Sequence, residues 1–271
     1  MNSLDLHAWP EPVKELIGPI RRIEIPGQGA TSEVVIVQGD HGEFVVKRAA
    51  QPPFDQWLRR ESQVLAALRG SGLAVPEVYL YLEQGTGTNG NQRAGGRCAW
   101  LVMQRLPGLP LRSRLRDEPD PAVRRRLLEA FGQAVRTVHA AVPPASLAAE
   151  GPWLDVTLER ARWHLEHFPV DGTEELLEHL RAHRPRPVPA TLIHGDCTMD
   201  NVLVDGERIS GFIDWCWGAV GDPRYDLALA TAPKPEAFRE EADLEAFYEG
   251  YGGQRLSPEE AAYFLGLYEF F

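Results

Sequence analysis

Residues 191–230 constrain the fold of this chain more than any other segment, because short apolar runs alternate there with single hydrophilic residues. The runs Leu192-Ile193, Val202-Leu203-Val204 and Gly211-Phe212-Ile213 predict short buried strands. The hydrophilic residues between the runs therefore lie at strand ends and turns, where a rigid backbone can direct their side chains at a ligand.

Three of these hydrophilic residues carry the chemistry. Asn201 follows Asp196 by five residues, and Asp214 follows Asn201 by thirteen. A carboxylate can accept the proton of a hydroxyl group, and Asn and Asp oxygens suit Mg²⁺, which commonly keeps substrate phosphates as its other partners. Each residue alone would more often be an ordinary turn residue, but the order and spacing of all three indicate phosphoryl transfer.

The composition bounds the class of protein. The 271 residues, 44% hydrophobic and 25% charged, are enough for one large globular domain or two modest ones. No apolar run approaches the roughly 20 residues of a membrane-spanning helix. The first residues, MNSLDLHAWPEP, lack a signal-peptide pattern. We therefore expect a cytoplasmic protein that does not associate with a membrane.

The net charge of −11 disfavours a nucleic-acid partner, because nucleic-acid phosphates require a basic surface. The same charge favours a cationic small-molecule substrate by long-range attraction, although a need for solubility would also account for it. The sequence leaves the oligomeric state open.

The first part of the chain is rich in predicted strands. Residues 20–49 predict a three-stranded meander, residues 55–68 a helix, and residues 78–82 and 99–103 two further strands. We place a lobe boundary after this part, which divides the chain into an N-terminal lobe of residues 1–104 and a C-terminal lobe of residues 105–271.

Helices dominate the second part. Apolar residues recur at helical spacing in segments 121–138, 153–168, 173–180, 235–250 and 257–271. Ser257 and Glu260 predict a capping box at the start of the last helix. The run Arg124-Arg125-Arg126 is expected on the solvated face of the first. These patterns indicate an α+β fold: an antiparallel sheet with one main helix, followed by a mostly α-helical lobe.

The sequence resembles the aminoglycoside phosphotransferase family, which has the bilobal protein-kinase-like fold. The resemblance is carried by HGDxxxxN at residues 194–201, by the GFID run that ends at Asp214, and by YDLALAT from Tyr225. It runs from about residue 27 to the last residue, and the final LYEFF is similar to the end of aminoglycoside 3′-phosphotransferases. HGDxxxxN with the later ID is highly specific, whereas the Gly-rich turn alone would be a weak signal.

The resemblance implies a role for each matching residue. Asp196 corresponds to the catalytic base that orients the acceptor hydroxyl, and Asn201 and Asp214 correspond to Mg²⁺ ligands. Lys47 corresponds to the lysine that holds the α- and β-phosphates of ATP or GTP, and Glu61 to its ion-pair partner. The remaining nucleotide-binding residues are expected in a phosphate loop and a hinge, namely Gly29, Thr31, Ser32, Gln104 and Leu106.

The acceptor side matches the family less closely. The family's substrate-binding carboxylates correspond to Glu166, Glu269 and the terminal carboxylate of Phe271. Negative groups at the C-terminal end of a helix oppose its macrodipole, which suggests a bound cation; a frayed, solvated tail is the open alternative. Trp217 follows the ID where aminoglycoside 3′-phosphotransferases usually have an arginine. It could offer a sugar-stacking or cation–π surface, or it could indicate a different substrate.

The sequence as a whole predicts an ATP- or GTP-dependent phosphotransferase. Its expected reaction moves the γ-phosphate to a hydroxyl of an aminoglycoside antibiotic, at the 3′ position, and so gives resistance. Two alternatives stay open: a kinase of a macrolide or a hydroxylated metabolite, and an inactive nucleotide-binding module. The complete set of Lys47, Asp196, Asn201 and Asp214 argues against the inactive module.

Overall fold

The computed structural model describes residues 9–26, 32–85, 97–234 and 237–271. The chain forms two compact units. The first comprises the chain up to Arg69 together with Val75–Leu106, and the second comprises Gly70–Ala74 and Pro107–Phe271. The functional division at residues 104/105 stays a prediction.

The first unit is built on a five-stranded antiparallel sheet in the order β1-β2-β3-β5-β4. Its elements in chain order are α1 Glu11–Ile17, β1 Ile20–Glu24, β2 Glu33–Gly39, β3 Gly42–Ala49, α2 Phe54–Leu68, β4 Val78–Gly85 and β5 Arg97–Gln104. The predicted meander, helix and two further strands are present. Helix α1 was not predicted, because its seven residues are too few to establish a helical period.

The two faces of this sheet are covered by different helices, and this decides where Lys47 lies. Phe44 and Val46 on β3 are buried in the cluster that includes Val13 and Ile17 of α1. Because successive side chains of a strand point to opposite faces, Lys47 lies on the other face, which α2 covers. Its side chain is therefore buried beside that helix.

The second unit is mostly helical. Its elements in chain order are β6 Leu109–Pro110, α3 Leu111–Asp117, α4 Pro121–Ala140, a 3₁₀ turn Ala145–Leu147, α5 Trp153–His167, α6 Glu174–Ala182, β7 Thr191–Ile193, β8 Val202–Asp205, β9 Arg208–Phe212, a 3₁₀ turn Trp215–Trp217, β10 Ala219–Gly221, α7 Pro223–Ala230, α8 Glu241–Tyr251 and α9 Pro258–Tyr268. Two short sheets, β7 with β10 and β6-β8-β9, carry the loops of the motif region.

The predicted capping box of Ser257 and Glu260 is present at the start of α9. In the described part of the chain, no helix has the length and apolar character needed to cross a membrane.

One predicted helix of this unit begins later than expected. Helix α8 begins at Glu241 rather than at residue 235, which lies outside the described residues. The carbonyl of Lys234 accepts the N–H groups of Ala237 and Phe238 in a turn that precedes the helix. These donors are used in a local turn, and regular helix starts only at Glu241, so the predicted boundary was wrong.

Arg124 is buried, so the expectation of three solvated arginines on α4 was wrong for this residue. Its guanidinium donates to the carbonyls of Leu115 and Ala237, each at 2.6 Å, and to the carboxylate of Asp243 at 3.1 Å. A buried guanidinium is tolerated when its N–H groups have hydrogen-bond acceptors. Because two of these acceptors are main-chain carbonyls, the pattern of charged residues in the sequence did not reveal them.

The core of the second unit also fixes the end of α9. Phe264, Leu267 and Phe270 are fully buried in a cluster with residues of α5, α6 and α7. The N–H of Gly172 donates to the carbonyl of Glu269 at 2.8 Å. A Cβ on Gly172 would lie 2.5 Å from the ring of Phe270, so only glycine allows this approach. The alternative of a frayed tail was therefore wrong.

Helices α4 and α8 approach each other at glycines, and this makes a prediction about stability. A Cβ on Gly132 would lie 2.0 Å from the carbonyl oxygen of Phe247. We expect Gly132→Ala to lower the free energy of unfolding by about 1–3 kcal/mol, the usual cost of overpacking. The same change in an open helix would stabilise it by about 1 kcal/mol.

Urea denaturation measures the free energy of unfolding of Gly132→Ala. The control is Gly85→Ala, because a Cβ there would meet no described atom within 4 Å. A Gly132→Ala protein as stable as the control would contradict the close approach.

Candidate active site

A buried carboxylate on α7 holds the loop that follows β7. Asp226 is fully buried and accepts the main-chain N–H of His194 at 2.6 Å and that of Gly195 at 2.8 Å. His139 lies 3.2 Å from the same carboxylate. Asp222 caps the start of α7 by accepting an N–H of its first turn. Asp226 thus braces the loop that follows β7, and Asp222 stabilises the start of α7.

His194 ties the same loop to the end of β9. Its Nδ1 accepts the N–H of Asp196 at 3.2 Å, so its Nε2 carries the proton and donates to the carbonyl of Ile213 at 2.9 Å. The next residue, Gly195, has φ +80°, and a Cβ there would lie 2.4 Å from the carbonyl oxygen of Trp217. His194 therefore braces this loop against the end of β9.

The carboxylate of Asp196 receives one hydrogen bond on each oxygen. The side-chain amide of Asn201 donates to Oδ2 at 2.7 Å, and the hydroxyl of Tyr268 donates to Oδ1 at 2.9 Å. Burial raises the pKa of Asp196 above its ordinary value, and the nearby Asp214 carboxylate raises it further, while both hydrogen bonds oppose the change. Asp196 is thus a firmly oriented carboxylate with increased basicity.

The main chain links Asn201 to the residue before Asp214, and both side chains carry oxygens that could bind a divalent cation. Asn201 directs its NH₂ group at Asp196, which leaves its amide oxygen for a cation. Its main-chain carbonyl accepts the N–H of Ile213 at 2.9 Å, which brings the adjacent Asp214 close. Asp214 has φ +63° and ψ +54°, a left-handed conformation that is uncommon outside glycine and concentrates at functional sites.

A metal bound by Asn201 and Asp214 would need further ligands from a substrate or solvent. Among the described residues, no group of three or more His, Cys, Asp or Glu side chains could hold a metal ion by itself. Mg²⁺ is commonly bound by one or two protein oxygens together with phosphate oxygens. The pair formed by Asn201 and Asp214 meets this requirement.

In the first unit, Lys47 and Glu61 form a buried ion pair. The Nζ of Lys47 donates to the two carboxylate oxygens of Glu61 at 2.7 Å and 2.9 Å. The structure thus brings together the two residues that the sequence paired. Of the expected phosphate loop, Gly29 and Thr31 lie outside the described residues, and Ser32 is half-buried directly before β2.

The expected hinge follows β5. The N–H of Gln104 donates to the carbonyl of Glu77 at 2.8 Å, so this donor is already used within the unit. Leu106 is buried, and its N–H donates to no main-chain carbonyl of another described residue. Of these two main-chain donors, only that of Leu106 suits the edge of a purine.

The expected acceptor-binding residues lie in different surroundings. Glu166 on α5 and Glu269 after α9 are exposed, and neither has an ion-pair partner in the described ranges. The ring of Phe271 packs against His164 at 5.0 Å and Trp217 at 5.7 Å between ring centroids. The structure shows no contact that joins Glu166 to Glu269.

Trp217 already takes part in a cation–π contact within the protein. The guanidinium of Arg160 on α5 lies 4.8 Å from the centre of its indole ring. The cation–π surface considered for this residue is thus used by a cation of the protein itself.

The sequence reasoning missed Tyr268. Its hydroxyl bonds to a residue 72 positions earlier. Burial, and then the charge of Asp196, raise the pKa of Tyr268 well above its ordinary value. The hydroxyl therefore stays protonated and acts as a donor. The only signal in the sequence was its position directly before Glu269, at the end of the last helix.

The comparisons with known proteins agree with this geometry. The profile of the phosphotransferase enzyme family matches residues 22–264. The chain belongs to this family.

Its relatives include proteins of two named activities. The aminoglycoside 3′-phosphotransferase of Streptomyces ribosidificus is 30% identical over 88% of this chain and 94% of its own length. The crystal structure of the aminoglycoside 3′-phosphotransferase of type VIII is similar with a TM-score of 0.69 at 27% identity, and the match covers 93% of each chain. The homoserine kinase of Neisseria meningitidis serogroup B is 46% identical over 81 residues, which are 28% of this chain and 27% of that protein. The predicted family, the α+β kinase-like fold and the phosphotransferase class are confirmed.

Replacing Asp226 tests the brace of the catalytic loop. In Asp226→Asn one oxygen becomes an NH₂ group, so one of the N–H groups of His194 and Gly195 loses its acceptor. We expect the free energy of unfolding to fall by about 1–3 kcal/mol, the cost of one unsatisfied buried donor. The control Asp205→Asn changes an exposed residue of β8 and should stay within about 0.5 kcal/mol of the parent. Equal urea midpoints and slopes for both variants would contradict the role of Asp226.

Proposed function

We propose that this protein transfers the γ-phosphate of ATP or GTP to a hydroxyl of an aminoglycoside, at the 3′ position. The observation that carries the proposal is the carboxylate of Asp196, oriented by two donors beside the candidate magnesium ligands Asn201 and Asp214. Similarity to aminoglycoside 3′-phosphotransferases over most of the chain supports the choice of acceptor. Such a reaction would give resistance to the antibiotic, and we place it in the cytoplasm.

In this proposal Asp196 is the catalytic base. A carboxylate oxygen accepts two hydrogen bonds, so the donors from Asn201 and Tyr268 leave room on each oxygen for the acceptor hydroxyl. Burial raises the pKa of Asp196 above its ordinary value, and this favours proton acceptance by the carboxylate. Mg²⁺ bound by Asn201 and Asp214 would neutralise negative charge on the phosphates.

The nucleotide-binding residues are proposed for the first unit. The Lys47 ammonium, held in place by Glu61, suits the α- and β-phosphates. The N–H of Leu106 would donate a hydrogen bond to the edge of the purine. The carbonyl of Gln104 would accept a hydrogen bond from the same edge. Gly29, Thr31 and Ser32 complete the proposed phosphate loop. On this assignment residues 1–104 form the nucleotide-binding lobe, and residues 105–271 hold the catalytic loop and the acceptor site.

The acceptor site is proposed to recognise a cation. Glu166 and Glu269 expose their carboxylates, and the net charge of −11 attracts a polycation from a distance. The terminal carboxylate of Phe271 would add a third negative group, and the ring of this residue packs against Trp217. An aminoglycoside has the positive charges that such a surface binds.

A second candidate acceptor is homoserine. The local identity of 46% with a homoserine kinase favours it. The two acceptors differ in net charge, since homoserine is a zwitterion with one ammonium group and one carboxylate, whereas an aminoglycoside carries several ammonium groups. A nucleotide-consumption assay distinguishes them directly.

The test uses two aminoglycosides that differ only in the presence of the 3′-hydroxyl, together with homoserine and a macrolide. With ATP or GTP and Mg²⁺, we expect turnover of the 3′-hydroxylated aminoglycoside alone, with the phosphate on that oxygen by NMR. Turnover of homoserine instead would establish the second candidate. Nucleotide binding without turnover of any of these compounds would favour an inactive module.

Asp196→Asn tests the base. The carboxamide keeps the shape of the side chain but cannot take a proton, so we expect kcat to fall by roughly two to four powers of ten. Nucleotide affinity, measured by calorimetry, should change little. The control Asp200→Asn removes a carboxylate of the same loop that pairs with Arg112 and should keep kcat within a few-fold of the parent. Near-parental turnover of Asp196→Asn would exclude this residue as the base.

Glu269→Gln tests the cationic acceptor. If the Glu269 carboxylate binds an ammonium group, its loss should weaken acceptor binding by about 1.5–3 kcal/mol. The acceptor KM should rise while nucleotide binding stays unchanged. High salt should raise the acceptor KM of the parent more than that of the variant, because screening acts on the charge that was removed. Glu259→Gln, exposed at the other end of α9, is the matched control. Equal acceptor KM values for all three proteins would point to a less cationic acceptor.

A further inference from the structure

We propose that Tyr268 is a positioning residue for Asp196, and that helix α9 thereby sets the orientation of the catalytic base. The inference rests on the proposed function, in which Asp196 accepts the proton of the acceptor hydroxyl. It extends that function by giving the last helix a part in the chemical step.

The first support is the geometry of the carboxylate. The hydroxyl of Tyr268 donates to Oδ1 at 2.9 Å, and the amide of Asn201 donates to Oδ2 at 2.7 Å. With one donor on each oxygen, rotation of the carboxylate would break both hydrogen bonds. With Asn201 alone, the carboxylate could turn about a single contact, because the terminal torsion of an Asp side chain is soft.

The second support is the rigidity of the group that donates. Tyr268 is the last residue of α9, which is fixed by the buried side chains of Phe264, Leu267 and Phe270. Its ring also packs against Tyr225, at 6.5 Å between ring centroids. A hydroxyl carried on an aromatic ring and an anchored helix has few alternative positions, so it can impose an orientation on its acceptor.

The third support is that the contact leaves Asp196 able to react. Each carboxylate oxygen has capacity for a second hydrogen bond, so Tyr268 and an acceptor hydroxyl can bind Asp196 together. The opposite possibility is that the Tyr268 hydroxyl fills the place of the acceptor and inhibits the enzyme. The two possibilities predict changes of opposite sign when the hydroxyl is removed.

Tyr268→Phe removes the hydroxyl and keeps the ring. We expect kcat to fall roughly ten-fold, because a hydrogen bond to a charged group is lost. The KM values for nucleotide and acceptor should stay within about two-fold, as expected for an interaction that acts on the chemical step. The matched control is Tyr263→Phe on the same helix, which removes a hydroxyl that donates to the carbonyl of Leu180 at 3.1 Å. A parental or increased kcat in Tyr268→Phe would overturn the proposal.

A double-mutant cycle separates positioning from general damage. If Tyr268 acts through Asp196, then Tyr268→Phe should have no further effect on the residual turnover of Asp196→Asn beyond about two-fold. A full ten-fold loss in that background would show that Tyr268 acts independently of Asp196 and would overturn the proposal.

Crystal structures of the parent and of Tyr268→Phe give a readout that does not need turnover. We expect a single carboxylate orientation of Asp196 in the parent and a rotated or divided one in the variant. The same single orientation in both proteins would overturn the proposal. If the parent consumes no nucleotide with any tested acceptor, the proposed function fails, and the two crystal structures still decide whether Tyr268 positions Asp196.

Discussion

The catalytic loop depends on one buried carboxylate that accepts two consecutive main-chain N–H groups. Strand β7 ends at Ile193, and the N–H groups of His194 and Gly195 would be left without partners in the core. Unsatisfied donors of this kind cost about 1–3 kcal/mol each. Asp226 satisfies both from α7 and therefore fixes the direction in which the chain leaves the strand. Asp196 follows at once, so its position is inherited from this contact.

The remaining motif residues are linked to the same loop through the main chain of Ile213. Its carbonyl accepts the Nε2–H of His194, and its N–H donates to the carbonyl of Asn201. The main-chain N–H and carbonyl of Ile213, the residue directly before Asp214, thus both form hydrogen bonds. Such over-determined surroundings can maintain a left-handed conformation that a free chain would avoid. The spacing of Asp196, Asn201 and Asp214 thus reflects the number of residues needed to form the connecting strands and return to one point.

The contacts that could be predicted from sequence are those whose residues belong to a recognisable motif or to a regular pattern of apolar and polar residues. The motif order and spacing predicted that Asp196, Asn201 and Asp214 act together, and the family resemblance paired Lys47 with Glu61, which the structure brings together. Tyr268 was not predictable, because its partner Asp196 lies 72 residues away, and Arg124 was not predictable, because its acceptors include main-chain carbonyls. Arg124 bonds to main-chain carbonyls that no side-chain pattern records, one of them 113 residues away. A tyrosine at a helix end looks the same in sequence whether its hydroxyl meets water or a carboxylate.

At the end of α9, four consecutive residues, 268–271, make four different kinds of contact. The chain leaves α9 through a turn after Tyr268, and neighbours in sequence there face different surroundings. Tyr268 contacts Asp196, Glu269 faces solvent, Phe270 fills the core and Phe271 packs against Trp217. On the proposed function, a substitution at exposed Glu269 can change the acceptor surface without moving the Tyr268 hydroxyl that contacts Asp196, because Phe270 anchors the segment. On the proposed function, acceptor preference and base orientation are therefore carried by adjacent residues yet can change separately, and this would allow related enzymes to share one reaction while using different acceptors.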